Sequence, residues 1–479
     1  MSRITRREFA KGSIAAMATI TVAGTKSSGQ VIGANAAIRI AVAGLNGRGG
    51  AHVGAYAPMP NVQITYLVDP DTRTYRSRLA QIGNRGNAPR TVQDVRRALE
   101  DRNVDAISIA TPNHWHALMT VWAAQAGKHV YVEKPSSHNV HEGRIAVAAA
   151  RRHNVIVQHG TQSRSDTAWA NTIAAIHSGR YGRLLVSRGL CYKLRNSIGN
   201  RPAGDPPAEV DYNLWLGPAQ RTGFHTNLVH YNWHWFWAFG NGDIGNQGVH
   251  QFDIARWAIQ GATLPRSVVT VGGRFGYTDQ GETPNTQVSL MDFGDTKLIF
   301  EVRGLSSAGF RGQGVGNVFH LEQGVIAGHR FFPRGEGAGE AIPQQNARRG
   351  PGGSNHFANF IAAVRSRRVA DLNADIEEGH YSSALCHLAN ISYQMGSNAA
   401  FAPRNRAIAE NRDALEAVER MEAHLSGAPH NMQLANIQLK VGSLLQVQAR
   451  TENFNGNAAA NRLLTRQYRE GFVVPDRIA

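Results

Sequence analysis

Cysteine is nearly absent: Cys191 and Cys386 are the only two in 479 residues. Two thiols exclude a disulfide framework and any cysteine-built zinc site; a single long-range bridge or two buried free thiols is left, and the free thiols are expected. Long apolar runs are also missing. The most apolar stretch near the start, GSIAAMATITVAG at 12–24, is far shorter than the ~20 residues that span a bilayer. Acidic residues are scarce, 35 against 51 basic ones, for a formal charge of +16. The excess is scattered, mostly Arg, and follows no RRM, zinc-finger or basic-helix pattern, so nucleic acid is not an expected partner. A mild attraction for acidic substrates is all the charge implies.

The sequence holds enough apolar residues, 42% against 18% charged, to build sizeable cores in two or three domains. Its N-terminus carries TRREFAK at 5–11, then the short apolar run, then Ala34-Asn35-Ala36 as a small-residue cleavage site. This resembles a twin-arginine export signal. Residues 1–36 are therefore expected to be removed and the mature protein to be periplasmic or secreted, with no stable membrane insertion.

From residue 37 to about 160, short β-rich runs (IRIAVAG, QITYLVD, DAISIATP, HVYVEKP, VIVQHG) alternate with helical ones, the signature of βαβ units in a doubly wound parallel sheet. After 184 longer β-type runs follow with few helices between them, which reads as a second α/β domain, 161–396, with a large, mainly antiparallel open sheet. Residues 397–479 read as a helical extension and tail.

The first strand runs into Gly44-Leu45-Asn46-Gly47-Arg48-Gly49, a variant of the dinucleotide-binding turn with Asn46 in place of its second glycine. Such a turn needs glycine where the chain bends, where it nears pyrophosphate and where helix meets strand. Asn tolerates left-handed conformations, so the turn can survive. Asp69 ends the second strand twenty residues after Gly49, where a carboxylate accepts from ribose hydroxyls and repels a 2′-phosphate. NAD is favoured over NADP on that ground, with Arg73 as the feature that keeps NADP open.

Two further motifs, Thr111-Pro112-Asn113-His114-Trp115-His116 and Glu133-Lys134-Pro135, follow the next two strands, and GNGDIGNQGVHQFD occupies 240–253. With the glycine turn, they make residues 38–395 resemble the Gfo/Idh/MocA family of NAD(P)-dependent oxidoreductases. The resemblance implies a Rossmann domain, then an α/β domain whose open sheet carries a sugar or polyol site and mediates homo-oligomerisation. It implies that Lys134 lies beside the nicotinamide and the substrate hydroxyl, and that His250 acts in proton transfer. The family's aspartate in that last motif is Asn246 in this sequence, so its proton step falls to His250, Lys134, Asp243 or another group, while Asn246 orients a hydroxyl.

The residues themselves support that chemistry. Oxidising a secondary alcohol needs a base near neutrality, which suits His250, and a cation such as Lys134 for the developing alkoxide. If 243 starts one continuous helix, Asn246, His250, Asp253 and Trp257 share a stripe. Thr111, Pro112, Asn113, His114, His116, Glu133 and Gln162 are expected to line the cofactor. No metal is expected at His114 and His116, which have no carboxylate or cysteine at ligand spacing. Arg164 faces the cleft; the run Tyr231–Trp237, if extended, offers His234 and Trp235 to a sugar; and Asp253 supports substrate. His380 and His387, two turns apart, read as packing.

The expected activity is an exported oxidoreductase with tightly bound NAD(H), since the periplasm offers no nicotinamide pool, acting on a ring hydroxyl of a sugar or glycoside. An NAD-dependent glycosidase working by transient C3 oxidation is the first alternative. A sugar-binding protein without turnover is the second.

Overall fold

The computed structural model describes residues 37–478 except 335, 346, 348 and 402–405; the expected export segment lies outside the described residues. Strand β1 (Ile38–Ala43) is an almost wholly buried apolar run, as a central parallel strand covered on both faces requires. With β2 (Val62–Val68), β3 (Arg90–Val92), β4 (Ala106–Ile109), β5 (His129–Val132) and β6 (Val157–His159) it forms a six-stranded sheet in the order β3-β2-β1-β4-β5-β6. All the pairings are parallel. Helices α1 (Arg48–Tyr56), α2 (Tyr75–Ile82), α3 (Val95–Leu99), α4 (His116–Gln125) and α5 (Val140–Arg152) make the connections. Strand order reverses between β1 and β4, so a crevice opens beyond their carboxyl ends, the usual ligand position in such sheets.

After α6 (Thr167–His177), β7 (Leu184–Tyr192) enters a second sheet with β8 (Ser267–Gly273), β9 (Thr286–Asp292), β10 (Lys297–Arg303), β11 (Val315–Leu321), β12 (Gly324–Ala327), β13 (Arg330–Pro333) and β14 (Glu340–Ala341). Its order is β14-β13-β12-β11-β7-β10-β9-β8-β16-β15, with β15 (Ser397–Ala400) and β16 (Gln438–Val441) at one edge. Among the described residues of this sheet only β7 and β10 pair in parallel.

Between β7 and β8 the chain forms α7 (Tyr212–Leu216), α8 (Gly242–Asn246) and α9 (Gly248–Ala258); α10 (His356–Ser366) and α11 (Ile376–Gln394) come after the strands. Alternation along β10 sends Leu298, Phe300 and Val302 to the face covered by α9 and α11. There Phe252 stacks on Phe300 with centroids 3.7 Å apart. Ile299 faces the other way, into a core with Val186, Val269, Val271 and Val288.

That outer face is covered by the chain's own helix α12 (Arg412–Ser426), capped by Asn411 and burying Ala414, Ala417, Val418, Met421 and Leu425 on one stripe. The open face that the family resemblance assigns to oligomerisation is thus, over this stretch, an intramolecular core. Residues 397–479 are also more than a helix and tail: they supply β15, β16 and β17 (Leu445–Gln448), which pairs β8. Phe472 and Val474 return to the core of the first domain.

Two local expectations fail. GNGDIGNQGVHQFD is not one helix: it breaks at Gln247, leaving Asn246 at the end of α8 and His250 in the first turn of α9. Four glycines in 240–248 give a continuous helix little backbone support. The aromatic run is not extended, because Asn232–Trp235 coil into a 3₁₀ turn. Cys191 and Cys386 are both buried and free.

Candidate active site

A cavity of about 320 Å³ lies at the carboxyl ends of β1, β4 and β5. The glycine turn forms one wall. Gly44 has φ +79°, and a Cβ there would lie 2.6 Å from the backbone of Ala110 and Thr111. A Cβ on Gly49 would lie 1.8 Å from the Gly44 carbonyl, so α1 packs directly on the turn. Gly47 has φ +45° and open space beside it. The left-handed conformations therefore fall on Gly44 and Gly47, and Asn46 is not asked to adopt one. Thr111 adds a buried hydroxyl without a partner among the described residues. This tight, open-sided turn and unsatisfied hydroxyl fit a dinucleotide.

Asp69 lies in the wall, but its carboxylate first serves the fold, accepting from the Leu45 amide at 2.7 Å and the Asp71 amide at 2.9 Å. Burial lifts its pKa to about 6. Each oxygen keeps a lone pair for a ribose hydroxyl. Arg73 turns back onto Asp71, at 2.8 and 2.6 Å.

Glu133 gathers the groups at the end of β5. It accepts from Arg48 Nε at 2.7 Å and Gln162 Nε2 at 3.1 Å, and lies 3.2 Å from His52 Nε2. Burial works against its charge, yet His52, Arg48 and Lys134 together hold it well below the usual carboxylate range. Next to it, Lys134 Nζ donates to the main-chain carbonyl of Asn246 at 2.5 Å. Burial pushes this lysine below its ordinary range, against the pull of Glu133.

The opposite wall comes from the second domain. Tyr231 Oη accepts from Arg195 Nη1 at 2.7 Å and from Asn246 Nδ2 at 3.3 Å. Arg195 is held by Asp243 at 2.6 and 3.0 Å, and Lys193 Nζ donates to Gln247 at 3.0 Å. Lys193, Arg195, Tyr231, Trp233 and Gln247 were not singled out as site residues by sequence. Lys193 and Arg195 follow β7 in the unremarkable CYKLR, and only sheet topology brings them opposite Lys134.

Other expected positions shift. His250 is not in the cavity wall; burial and then the Lys134 charge lower its pKa to about 3, so the ring is neutral at pH 7. His116 lines the cavity with Nδ1 2.6 Å from the Pro135 carbonyl and Nε2 2.8 Å from the Thr111 carbonyl, tying together the loops after β4 and β5. Pro112 and Asn113 line it too, and Asn113 Nδ2 donates to Asn241 at 2.5 Å.

Several expected contacts are not formed. His114 does not face the cofactor: it is buried against Trp215 and Phe239. Gln162 reaches the site only through Glu133 and Tyr131. Arg164 and Asp253 do not face substrate but pair with each other at 2.9 Å, with Ser382 donating to Asp253 at 2.6 Å, so this buried charge couple joins α9 to α11. His234 and Trp235 are core residues, because the 3₁₀ turn directs them inward, where Arg274 lies over the Trp235 ring at 4.7 Å. His380 and His387 are buried on α11.

A doubly wound domain with a glycine turn at its switch point, facing a domain that supplies a lysine-lined pocket, defines the class of nicotinamide-nucleotide oxidoreductases. Residues 38–161 match the oxidoreductase family NAD-binding Rossmann fold, and 192–273 match the same family's C-terminal alpha/beta domain. Both matched segments are those of the Gfo/Idh/MocA oxidoreductase family.

Curated relatives include the scyllo-inositol 2-dehydrogenase (NAD(+)) of Bacillus subtilis, 30% identical over 173 residues (36% of this chain, 47% of that protein). Another is a glycosyl hydrolase family 109 protein of Solibacter usitatus, 28% identical over 160 residues (31% and 36%). The chain spans about half the length of the curated relatives it matches. Among solved structures, the WlbA dehydrogenase of Bordetella pertussis in complex with NADH and UDP-GlcNAcA has the same fold, with a TM-score of 0.56 at 19% identity over 73% of this chain and 93% of that one.

Proposed function

We propose that the protein is an NAD(H)-dependent oxidoreductase acting on a secondary hydroxyl of a sugar or cyclic polyol. The observation that carries the reading is the placement of Lys134: its ammonium sits at the end of β5, between the glycine turn and the wall of Arg195, Tyr231 and Asn246. Gly44, Gly47, Gly49, Arg48, Asp69 and Thr111 would hold the nucleotide. Pairing of Arg73 with Asp71 leaves no free guanidinium for a 2′-phosphate at that position, which supports NAD. When bound, the nicotinamide supplies the hydride acceptor.

The chain's own groups handle the proton and the charge. Lys134, with its lowered pKa, donates to the substrate oxygen and stabilises it as negative charge grows. His250 is neutral and close enough to feel the Lys134 charge, but its depressed pKa and its place behind the cavity wall suit it to relay the hydroxyl proton to water rather than to hold it. Tyr231, polarised by Arg195, and the Asn246 amide orient hydroxyls at the mouth. We also propose export by the twin-arginine route, on the strength of TRREFAK, with nucleotide retained through turnover.

The relatives described as glycosyl hydrolase family 109 proteins favour a second reading, a redox-neutral glycosidase in which transient oxidation at C3 would acidify the C2 proton, its loss would expel the aglycone from C1, and addition of water across C1–C2 with return of hydride to C3 would complete the cycle. One experiment tests both. The purified full-length protein is analysed for bound nucleotide and mixed with a panel of inositols, sugars and aryl glycosides. Absorbance at the reduced-nicotinamide band reports oxidation, while aglycone release with solvent deuterium at C2 reports the glycosidase. A protein that binds no nucleotide and converts nothing in the panel refutes the enzyme reading.

A further inference from the structure

A second cavity, about 400 Å³, lies on the far side of Asn241 from the cofactor cavity, between the loop after β5, α11 and residues 463–467. Its walls concentrate polar atoms that nothing in the described chain satisfies: His387 Nδ1, Asn390 Oδ1, Arg466 Nη2 and both ring nitrogens of His138. His387 and Asn390 are each only 3% exposed. A buried donor or acceptor left without a partner costs about 1–3 kcal/mol, so this concentration points to a hydrogen-bonding occupant.

Neighbouring bonds fix what these atoms offer. Asn390 Nδ2 donates to the Asn241 carbonyl at 2.9 Å, so its Oδ1 is left as an acceptor. His387 Nε2 lies 3.1 Å from Ser137 Oγ, leaving Nδ1 without a partner among the described residues. Arg466 Nη1 donates to the Ala238 carbonyl at 2.9 Å, and its charge is answered by the buried Glu142, 3.4 Å from Nε. Burial keeps both histidines neutral, His387 at about 3 and His138 well below its usual range, so each imidazole presents one donor and one acceptor.

The lining therefore mixes donors and acceptors and holds no uncompensated cation, a poor match for an anion. A hydroxyl donates and accepts from one atom and suits this set, while Trp237, Ile391 and Leu463 give apolar surface for ring C–H groups. We propose that this cavity is a second ligand site, for a neutral polyhydroxylated molecule of monosaccharide or cyclic-polyol size. It communicates with the cofactor cavity through two side chains: Asn241 Nδ2 donates to the His138 carbonyl at 3.0 Å, and Asn241 Oδ1 accepts from Asn113 of the cofactor wall. The site stands whether or not the first cavity performs the proposed oxidation.

The test is calorimetric titration of the purified full-length protein with D-glucose, myo-inositol and inorganic phosphate. His138→Phe removes two ring nitrogens that make no well-formed hydrogen bond among the described residues, and Gln394→Trp narrows the mouth from an exposed position. Binding of glucose or inositol is expected to weaken at least tenfold in each variant, with the melting temperature unchanged, and to persist in Lys134→Ala, which alters only the cofactor cavity. Absence of polyol binding, binding indifferent to both variants, binding lost only with Lys134→Ala, or phosphate displacing the polyols would overturn the proposal.

Discussion

Lys134 Nζ, at the end of β5, donates to the main-chain carbonyl of Asn246, at the end of α8, at 2.5 Å across the cleft between the two domains. The anchor is backbone, so it survives any side chain at 246. The lysine is thereby placed by a main-chain carbonyl rather than by a carboxylate at 246.

Lys134→Ala removes the cation from the reacting oxygen. The turnover number with an accepted sugar or polyol is expected to fall by about 10²–10³-fold, with nucleotide content unchanged. Lys134→Arg is not expected to rescue it, because a planar fork does not fit a site built for a point donor. Full activity in the alanine variant would remove Lys134 from the mechanism.

Asn246→Ala keeps the Lys134 anchor and loses only the contact to Tyr231, so KM should rise while the turnover number changes by less than about tenfold. Asn246→Asp restores the acid of the family pattern. A carboxylate there raises the Lys134 pKa, and the alkaline limb of the rate profile, where the protonated lysine is lost, should move to higher pH.

The glycines of the turn should separate. Gly49→Ala drives a methyl into the Gly44 carbonyl and is expected to abolish nucleotide binding or folding. Gly47→Ala meets no atom and costs only its backbone strain at φ +45° and ψ −103°, about 1–3 kcal/mol. Thermal melts with nucleotide quantification distinguish the two; equal tolerance would contradict the packing described.

Acid should destabilise the fold early. His114, His159, His250 and His387 are held at about 3, and His234 and His356 at about 4, all by burial first. The unfolded chain binds these protons from pH 6.5 downward and the folded chain does not. Their stabilising contribution is therefore complete above about pH 6.5 and is lost as pH falls through the range down to 3–4, each group adding up to about 1.4 kcal/mol per pH unit. Urea melts at pH 7 and pH 5 should show a clear drop in midpoint; equal midpoints would refute the burial assigned to these rings.

On the outer face of the large sheet, Leu425→Ala should cost about 2–5 kcal/mol, as in a fully buried core. A melting temperature that does not change would mean that α12 is not docked in solution.

The sequence by itself determined the doubly wound domain, because strand and helix periods alternate cleanly and a glycine turn needs no distant partner to be recognised. It located Lys134 and Glu133 at a strand end for the same reason: βαβ order puts successive carboxyl ends on one side. Tertiary structure alone decided which polar residues face the cavity. A single break at Gln247 rotates Asn246 away from the His250 stripe, and one 3₁₀ turn sends His234 and Trp235 inward while Tyr231 and Trp233 line the wall. Arg164 and Asp253 look like ligands in one dimension, but in three they neutralise each other, because neither charge could be buried alone. Local sequence carries backbone preference; the partner of a charge, and the face a side chain meets, are set by elements hundreds of residues away.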